Sequence, residues 1–322
     1  MTLSRRTFLT AAGLAAVAAP LAACATGSAG GATQGKVRLT YSTISLPKAR
    51  GVLEKMLKDQ GLTVEWVGPF PNHAPTLQAV VGGTADFSFG GSTTPADQAI
   101  LSGADLVYVA WAASTPRTTA IVAGANTGIR KVTDLVGKTV AVNKAGLGEF
   151  LLVAALEKYK VPRESVKVTY LNPPEASAAF GAGKIDAWAI WQGFREIAEV
   201  QYGAKAIFVD GDELDFQIDF TSYLVRREYA EQNADTIRKV IKAFQADQDW
   251  QNQNYKQSLD IGNAVSHYPQ AVLDKMASHN VQTKLKFVDD DGIAQLQRGA
   301  DWLTQRKILT GPITVADHSA KL

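Results

Sequence analysis

Cysteine is almost absent: Cys24 is the only one in 322 residues, so no internal disulfide can staple the fold. Histidine is scarce too. His73, His267, His279 and His318 are scattered, with no His-Glu-x-x-His spacing and no cysteine pair, so a metal site has no support. Charge of one sign is also missing. With Arg5 and Arg6 set aside, 31 basic side chains stand against 31 acidic ones. Phosphate neutralisation needs a basic excess, so this balance argues against nucleic acid as a partner. After the first two dozen residues no segment is long and apolar enough to cross a membrane. Familiar catalytic fingerprints are incomplete. Gly146-Leu147-Gly148 followed by Leu151 lacks the third glycine of the dinucleotide motif, and the next strand ends at Tyr170-Leu171-Asn172 with no acid for a ribose. Gly90-Gly91-Ser92-Thr93-Thr94 lacks the last glycine of a nucleophile elbow. The sequence therefore predicts no catalytic residue and no cofactor, with a hydrolase kept as a distant alternative.

What is present begins with an address. Arg5 and Arg6 precede an apolar run over residues 11–21 that is too short for a stable spanning helix, which reads as an export signal over residues 1–23. Ser4-Arg5-Arg6-Thr7-Phe8-Leu9 resembles the twin-arginine export consensus, with Thr10 where that consensus usually has Lys. Leu21-Ala22-Ala23-Cys24 resembles a bacterial lipobox, which implies a lipid on the Cys24 thiol and cleavage before it. The alternative is the end of an ordinary cleaved signal. Residues 24–35 are small and polar without apolar period, which predicts a flexible tether between lipid and domain.

About 290 residues remain, more than one hydrophobic core usually serves, so two lobes are expected. Val37, Leu39 and Tyr41 alternate with polar residues as a strand does, and Pro47 opens a helix whose apolar stripe is Ala49, Val52, Leu53, Met56 and Leu57. Strands at 62–66 and 85–89 flank a helix at 76–81. The same order recurs: strand 139–142, helix 150–158, strand 166–170, helix 176–180, strand 185–190. The junction Gly83-Thr84-Ala85-Asp86-Phe87 repeats as Gly183-Lys184-Ile185-Asp186-Ala187. Strand and helix in alternation favour a mostly parallel sheet. After Asp215 the pattern shifts to a strand at 223–225 and helical stretches at 234–252, 269–278 and 292–305. The chain enters the second lobe near Pro116 and leaves it near Gly211. Residues 36–116 are thus the first part of lobe 1, residues 117–211 lobe 2, and residues 212–322 the second part of lobe 1 with a helical tail. Two crossings make a hinge, and a ligand would sit between the lobes.

Several segments together resemble the aliphatic sulfonate, taurine and nitrate family of ABC transporter solute-binding proteins, to which pyrimidine-precursor binders are related. They are Lys48-Ala49-Arg50-Gly51-Val52-Leu53-Glu54, Val64-Glu65-Trp66, Gly103-Ala104-Asp105-Leu106-Val107-Tyr108-Val109-Ala110, Leu135-Val136-Gly137-Lys138-Thr139-Val140-Ala141-Val142 and Asp186-Ala187-Trp188-Ala189-Ile190-Trp191. The resemblance implies an α/β fold of the type II periplasmic-binding-protein kind, closing on its ligand. It also implies a membrane permease and a cytoplasmic ATPase as partners, while the export signal and the lipobox imply a location on the outer face of the cytoplasmic membrane. A monomer is expected.

Loops at the carboxyl ends of parallel strands are where such sheets bind ligands. Ser42 and Thr43 follow the opening strand. Ser92, Thr93 and Thr94 are a hydroxyl cluster where the family places its ligand; the plainer reading is a turn with a helix cap before Pro95. Gly146, Leu147 and Gly148 lie at a strand-to-helix junction suited to an anion, or are a glycine-rich turn only. The family usually carries Ser or Thr here, so hydroxyl donors are missing. Trp188, Trp191 and Gln192 either cover an organic tail or belong to the core. Gln192 stands where the family commonly has a carboxylate, which disfavours a taurine-like zwitterion. His73 is a loop residue or a ligand contact, and Arg117 an oxyanion clamp or a charge at the hinge surface. The solute expected is a small organic anion, an aliphatic sulfonate or similar, with an aryl carboxylate or pyrimidine-type solute as the alternative. A sensor presenting its closed form to a receptor is a second class.

Overall fold

The computed structural model describes residues 35–42 and 45–322. The export signal, Cys24, nearly all of the tether and Thr43 lie outside the described residues. Eleven strands are found among those described: β1 (Lys36–Ser42), β2 (Thr63–Phe70), β3 (Gly91–Ser92), β4 (Leu106–Thr115), β5 (Ala120–Ala123), β6 (Thr139–Val142), β7 (Lys167–Tyr170), β8 (Ala187–Ile190), β9 (Lys205–Val209), β10 (Thr221–Arg226) and β11 (Gln282–Phe287). They build two α/β halves. The second half is a five-stranded sheet in the order β7-β6-β8-β5-β9, drawn from one continuous stretch of chain. The first half combines the parallel pair β1-β2 with the antiparallel sheet β11-β4-β10-β3.

Residues 85–89, expected as a strand, join those two sheets. Thr40 N–H donates to Phe87 O at 3.1 Å on one side, and Ser88 N–H donates to Leu224 O at 2.9 Å on the other. The pairing is a single bridge rather than a ladder. Phe87 is fully buried there, in a cluster with Val37, Leu39, Leu53 and Leu57. Burying each such side chain contributes about 1.5–3 kcal/mol.

The internal repeat is present in the hydrogen bonds. Asp86 accepts from Arg38 N–H at 2.8 Å, and Asp186 accepts from Thr139 N–H at 2.7 Å. In return Asp86 N–H donates to Arg38 O and Asp186 N–H to Thr139 O, both at 2.9 Å. Gly83 and Gly183 end the preceding helices at φ of 74° and 67°. Asp86 thus ties its segment to β1, and Asp186 ties the start of β8 to the start of β6.

The sheets are less parallel than the alternation predicts. Only β1-β2, β7-β6 and β6-β8 are parallel ladders. Strands β4, β5, β9 and β10 carry the chain between the halves, and each runs antiparallel to its named neighbours. The helix expected from Pro47 is two pieces, Leu46–Arg50 and Val52–Lys58, divided at Gly51 with φ 65°. Helix Leu147–Lys158 buries every residue from Gly148 to Leu156, so over that span it is enclosed on all sides rather than along one stripe. Among the described residues no helix is long and apolar enough to cross a membrane.

Candidate functional site

Two adjoining cavities open along the seam of the halves. One, of about 570 Å³, is polar: Ser42, His73, Ser92, Arg117, Asn143, Lys144, Asp210 and Asp219 are on its wall. The other, of about 670 Å³, is lined from both halves and by the helices Tyr255–Ser266 and Gln270–His279. Ser42, Phe89, Gly90, Trp191 and Gln192 border both. Such volumes suit a small-molecule site.

Asp219 organises the polar wall on the first half. The hydroxyls of Ser92 (2.7 Å), Thr93 (2.8 Å) and Thr94 (3.1 Å) all donate to its Oδ1, and Thr94 N–H adds a fourth bond at 3.1 Å. Burial raises the Asp219 pKa, and these four bonds oppose that rise. Ser92 borders the polar cavity, whereas Thr93 and Thr94 are buried and off its wall. Helix Thr93–Leu101 starts here, with Ser92 as its N-cap residue.

His73 is buried, and its Nδ1 lies 2.8 Å from Ser92 O, so that nitrogen carries the proton and donates. Burial pushes its pKa down to about 4, so the ring is neutral at ordinary pH. Its Nε2 is buried without a hydrogen-bond partner among the described residues. The ring packs so closely on Gly91 that a Cβ there would meet His73 Cγ at 2.3 Å. Ser92, His73 and Asp219 are the residue types of a catalytic triad, but they are wired otherwise. The serine hydroxyl donates to the aspartate, and the imidazole donates to the serine carbonyl, so the imidazole is not the hydroxyl's partner.

Arg117 stands at the first crossing. Its Nη2 donates to Asp210 O at 3.2 Å and to Leu214 O, and its Nε lies 3.2 Å from Asp210 Oδ1. Burial lifts the Asp210 pKa to about 6 against the pull of Arg117. The crossings touch directly. Gly211 N–H donates to Arg117 O at 3.2 Å, and a Cβ on Gly211 would meet that oxygen at 2.6 Å.

The glycine turn of the second half is internally bonded. Gly148 N–H donates to Asn143 Oδ1 at 3.0 Å, and Ala145 N–H to Glu149 Oε2 at 2.7 Å. Leu147 borders the polar cavity, while Gly146 and Gly148 do not. Holding Asn143 by its carbonyl oxygen leaves its NH₂ as the donor. Trp188 and Trp191 part company. Trp188 is 1% exposed, between Phe180 and Phe194 in the second half's core. Trp191 faces both cavities. Gln192 Nε2 donates to Tyr255 Oη at 2.6 Å, linking the second half to the tail helices. Asn72 Nδ2 donates to Asn172 Oδ1 at 2.9 Å at another point of the seam. Asp210, Asp219, Asn143 and Tyr255 were not singled out from sequence. An acid between apolar neighbours, as in Ile218-Asp219-Phe220, is the signal that could have flagged one of them.

Residues 56–254 match the family described as NMT1/THI5 like. A curated relative from Escherichia coli (strain K12), whose name describes an aliphatic sulfonates-binding protein, is 30% identical over 84% of this chain and 82% of its own. The solved structure of the alkanesulfonate-binding protein SsuA from Xanthomonas axonopodis pv. citri, bound to MOPS, superposes with a TM-score of 0.81 at 26% identity, over 91% of this chain and 100% of that one. A mutant of the desulfurization enzyme DszB, in complex with biphenyl-2-sulfinic acid, is similar at TM-score 0.64 and 13% identity, over 89% of this chain and 96% of that one. That last likeness concerns the fold alone.

Proposed function

Because this chain belongs to the NMT1/THI5-like family, we propose that it is the extracytoplasmic solute-binding component of an ABC importer, capturing a small organic anion, an aliphatic sulfonate or a similar solute, between two lobes. In this reading residues 36–116 and 212–322 form one lobe and residues 117–211 the other. The observation that carries it is the polar cavity at the seam, bordered by Ser42 and Ser92 from one side and by Asn143, Leu147 and Trp191 from the other. The Arg117 guanidinium, the Lys144 ammonium and the Asn143 amide are donors on that wall for an anion. Because the Ser92 hydroxyl already donates to Asp219, the donors for an anion are those of Arg117, Lys144 and Asn143 rather than this hydroxyl. A solute touching both sides favours the closed arrangement, and closure hands it to a permease driven by a cytoplasmic ATPase. A lipid on Cys24 holds the monomeric protein on the outer face of the cytoplasmic membrane, and no cofactor takes part. The test is thermal denaturation with butane-1-sulfonate. At a hundred times its dissociation constant the ligand stabilises the native state by about 2.7 kcal/mol, a readily measured rise in Tm. An unmoved Tm with alkanesulfonates and carboxylates, beside a rise with a neutral or cationic compound, refutes the anion assignment.

A further inference from the structure

The larger cavity differs from the polar one in kind. Among the described residues it has no Asp, Glu, Lys, Arg or His on its wall. Its charge-free lining is dense in rings that come from every part of the seam. Trp66, Tyr223 and Phe244 face it from the first half, Trp191 from the second, and Tyr255 and Tyr268 from the tail helices. Some of these rings already pack on one another: Tyr223 on Phe244 at 5.3 Å between centroids, and Trp191 edge-on to Phe194 at 6.5 Å. Gln248, Gln251 and Ser258 give it neutral polar points. Among the described residues, every cationic side chain lining either cavity, namely Arg117 and Lys144, borders the polar one. The acids there, Asp210 and Asp219, already have Arg117 and the hydroxyl cluster as partners.

Two chambers that share Trp191 and Phe89, one with ionic side chains on its wall and one without them among the described residues, call for a solute with two ends. A charged group is dearly desolvated where nothing ionic compensates it, so the anionic head belongs in the polar chamber. A methyl or butyl tail would leave most of a space of about 670 Å³ unfilled. A flat fused ring fills more of it and meets aromatic faces and edges at favourable geometry. Resting on the anion-capture reading above, we propose that the charge-free chamber is a tail subsite and that the solute class is an aryl sulfonate of roughly naphthalene size, its head among Arg117, Asn143 and Lys144 and its ring against Trp191.

Calorimetry on the purified protein with methanesulfonate and naphthalene-2-sulfonate tests this. The ring compound is expected to bind at least about tenfold tighter, well within what burying an aromatic group yields after binding costs. Leu259→Trp, on the chamber wall, is expected to collapse that ratio to about threefold or less, because the indole occupies the tail space. The wild-type ratio is read whether or not the variant folds. A wild-type ratio under about tenfold overturns the tail subsite while leaving anion capture in place. A ratio that survives Leu259→Trp in a folded variant overturns the chamber's role. If neither sulfonate binds, the sulfonate reading falls, and this inference with it.

Discussion

Asp97 is a carboxyl at full depth in the first half, where Tyr108 Oη donates to its Oδ1 at 2.6 Å. Burial lifts its pKa to about 7, and the nearby Asp219 adds to the rise while the tyrosine bond opposes it. A folded-state pKa above the unfolded value means the native state holds the proton more tightly. The associated stability is complete below about pH 4 and is lost as pH rises through about 7. Asp97→Asn keeps an acceptor for Tyr108 and cannot ionise. Its stability relative to wild type is therefore expected to improve between pH 5 and pH 8, by roughly 1–3 kcal/mol at the upper end. Parallel melting curves across that range refute the linkage. The residue scale is also where sequence reading was least complete. Ser92, Thr93 and Thr94 were legible as a hydroxyl cluster, but the Asp219 that orders them is 125 or more residues away. Trp188 and Trp191 were alike in sequence. Strand alternation and the end of β8 put the first into the core and the second at the seam.

Elements were legible where a glycine turn or a one-sided apolar pattern marks them, and β4 and β5, buried along most or all of their length, carry neither and were not read. The Asp86 and Asp186 junctions could be matched because each needs a glycine turn, an acid and an apolar strand in fixed order. Helix Tyr255–Ser266 was missed, and it buries only Ser258 and Gly262, so no apolar stripe announces it. Strand directions were missed because alternation along a strand carries no information about its neighbour. The helix break at Gly51 was hidden because the apolar residues on its two sides keep a helical spacing. At that position a Cβ would meet nothing within 4 Å, so only the backbone conformation resists a side chain. Gly51→Ala is expected to cost about 1 kcal/mol in urea unfolding, with no change in m. A neutral or stabilising result shows that the two pieces can fuse into one helix.

At the scale of the whole molecule, the seam is held by polar contacts as well as by shape. Glu199 Oε2 lies 3.3 Å from Lys275 Nζ, and Glu196 Oε1 3.2 Å from His279 Nε2, between helices Phe194–Gln201 and Gln270–His279. Glu196 Oε1, Glu199 Oε2 and His279 Nε2 are buried, so these are not solvent-screened surface pairs, and Phe150 of the second half packs edge-on to Trp302 at 5.2 Å between centroids. A binding protein must stay near its transporter. Cys24→Ala is expected to move the protein from the membrane fraction to the soluble exported fraction, since acyl methylenes contribute about 0.8 kcal/mol each to anchoring. A variant that stays with membranes through a carbonate wash removes the lipid anchor from the proposal.

The strand order β11-β4-β10-β3 has a bearing on how the protein is made. Strand β4 has residues 221–226 on one side and residues 282–287 on the other, and Tyr108 bridges to Ser319 near the chain's end. The five-stranded sheet needs nothing beyond Val209. A ribosome can therefore release one finished sheet while the other still waits for its flank. At roughly 10 residues per second that interval is on the order of ten seconds. Until Arg226 emerges β4, apolar along most of its length, has neither neighbour, and until Phe287 emerges one of its edges stays open. A chaperone that shields nascent strands during those seconds would protect this chain most between the emergence of Thr115 and that of Phe287.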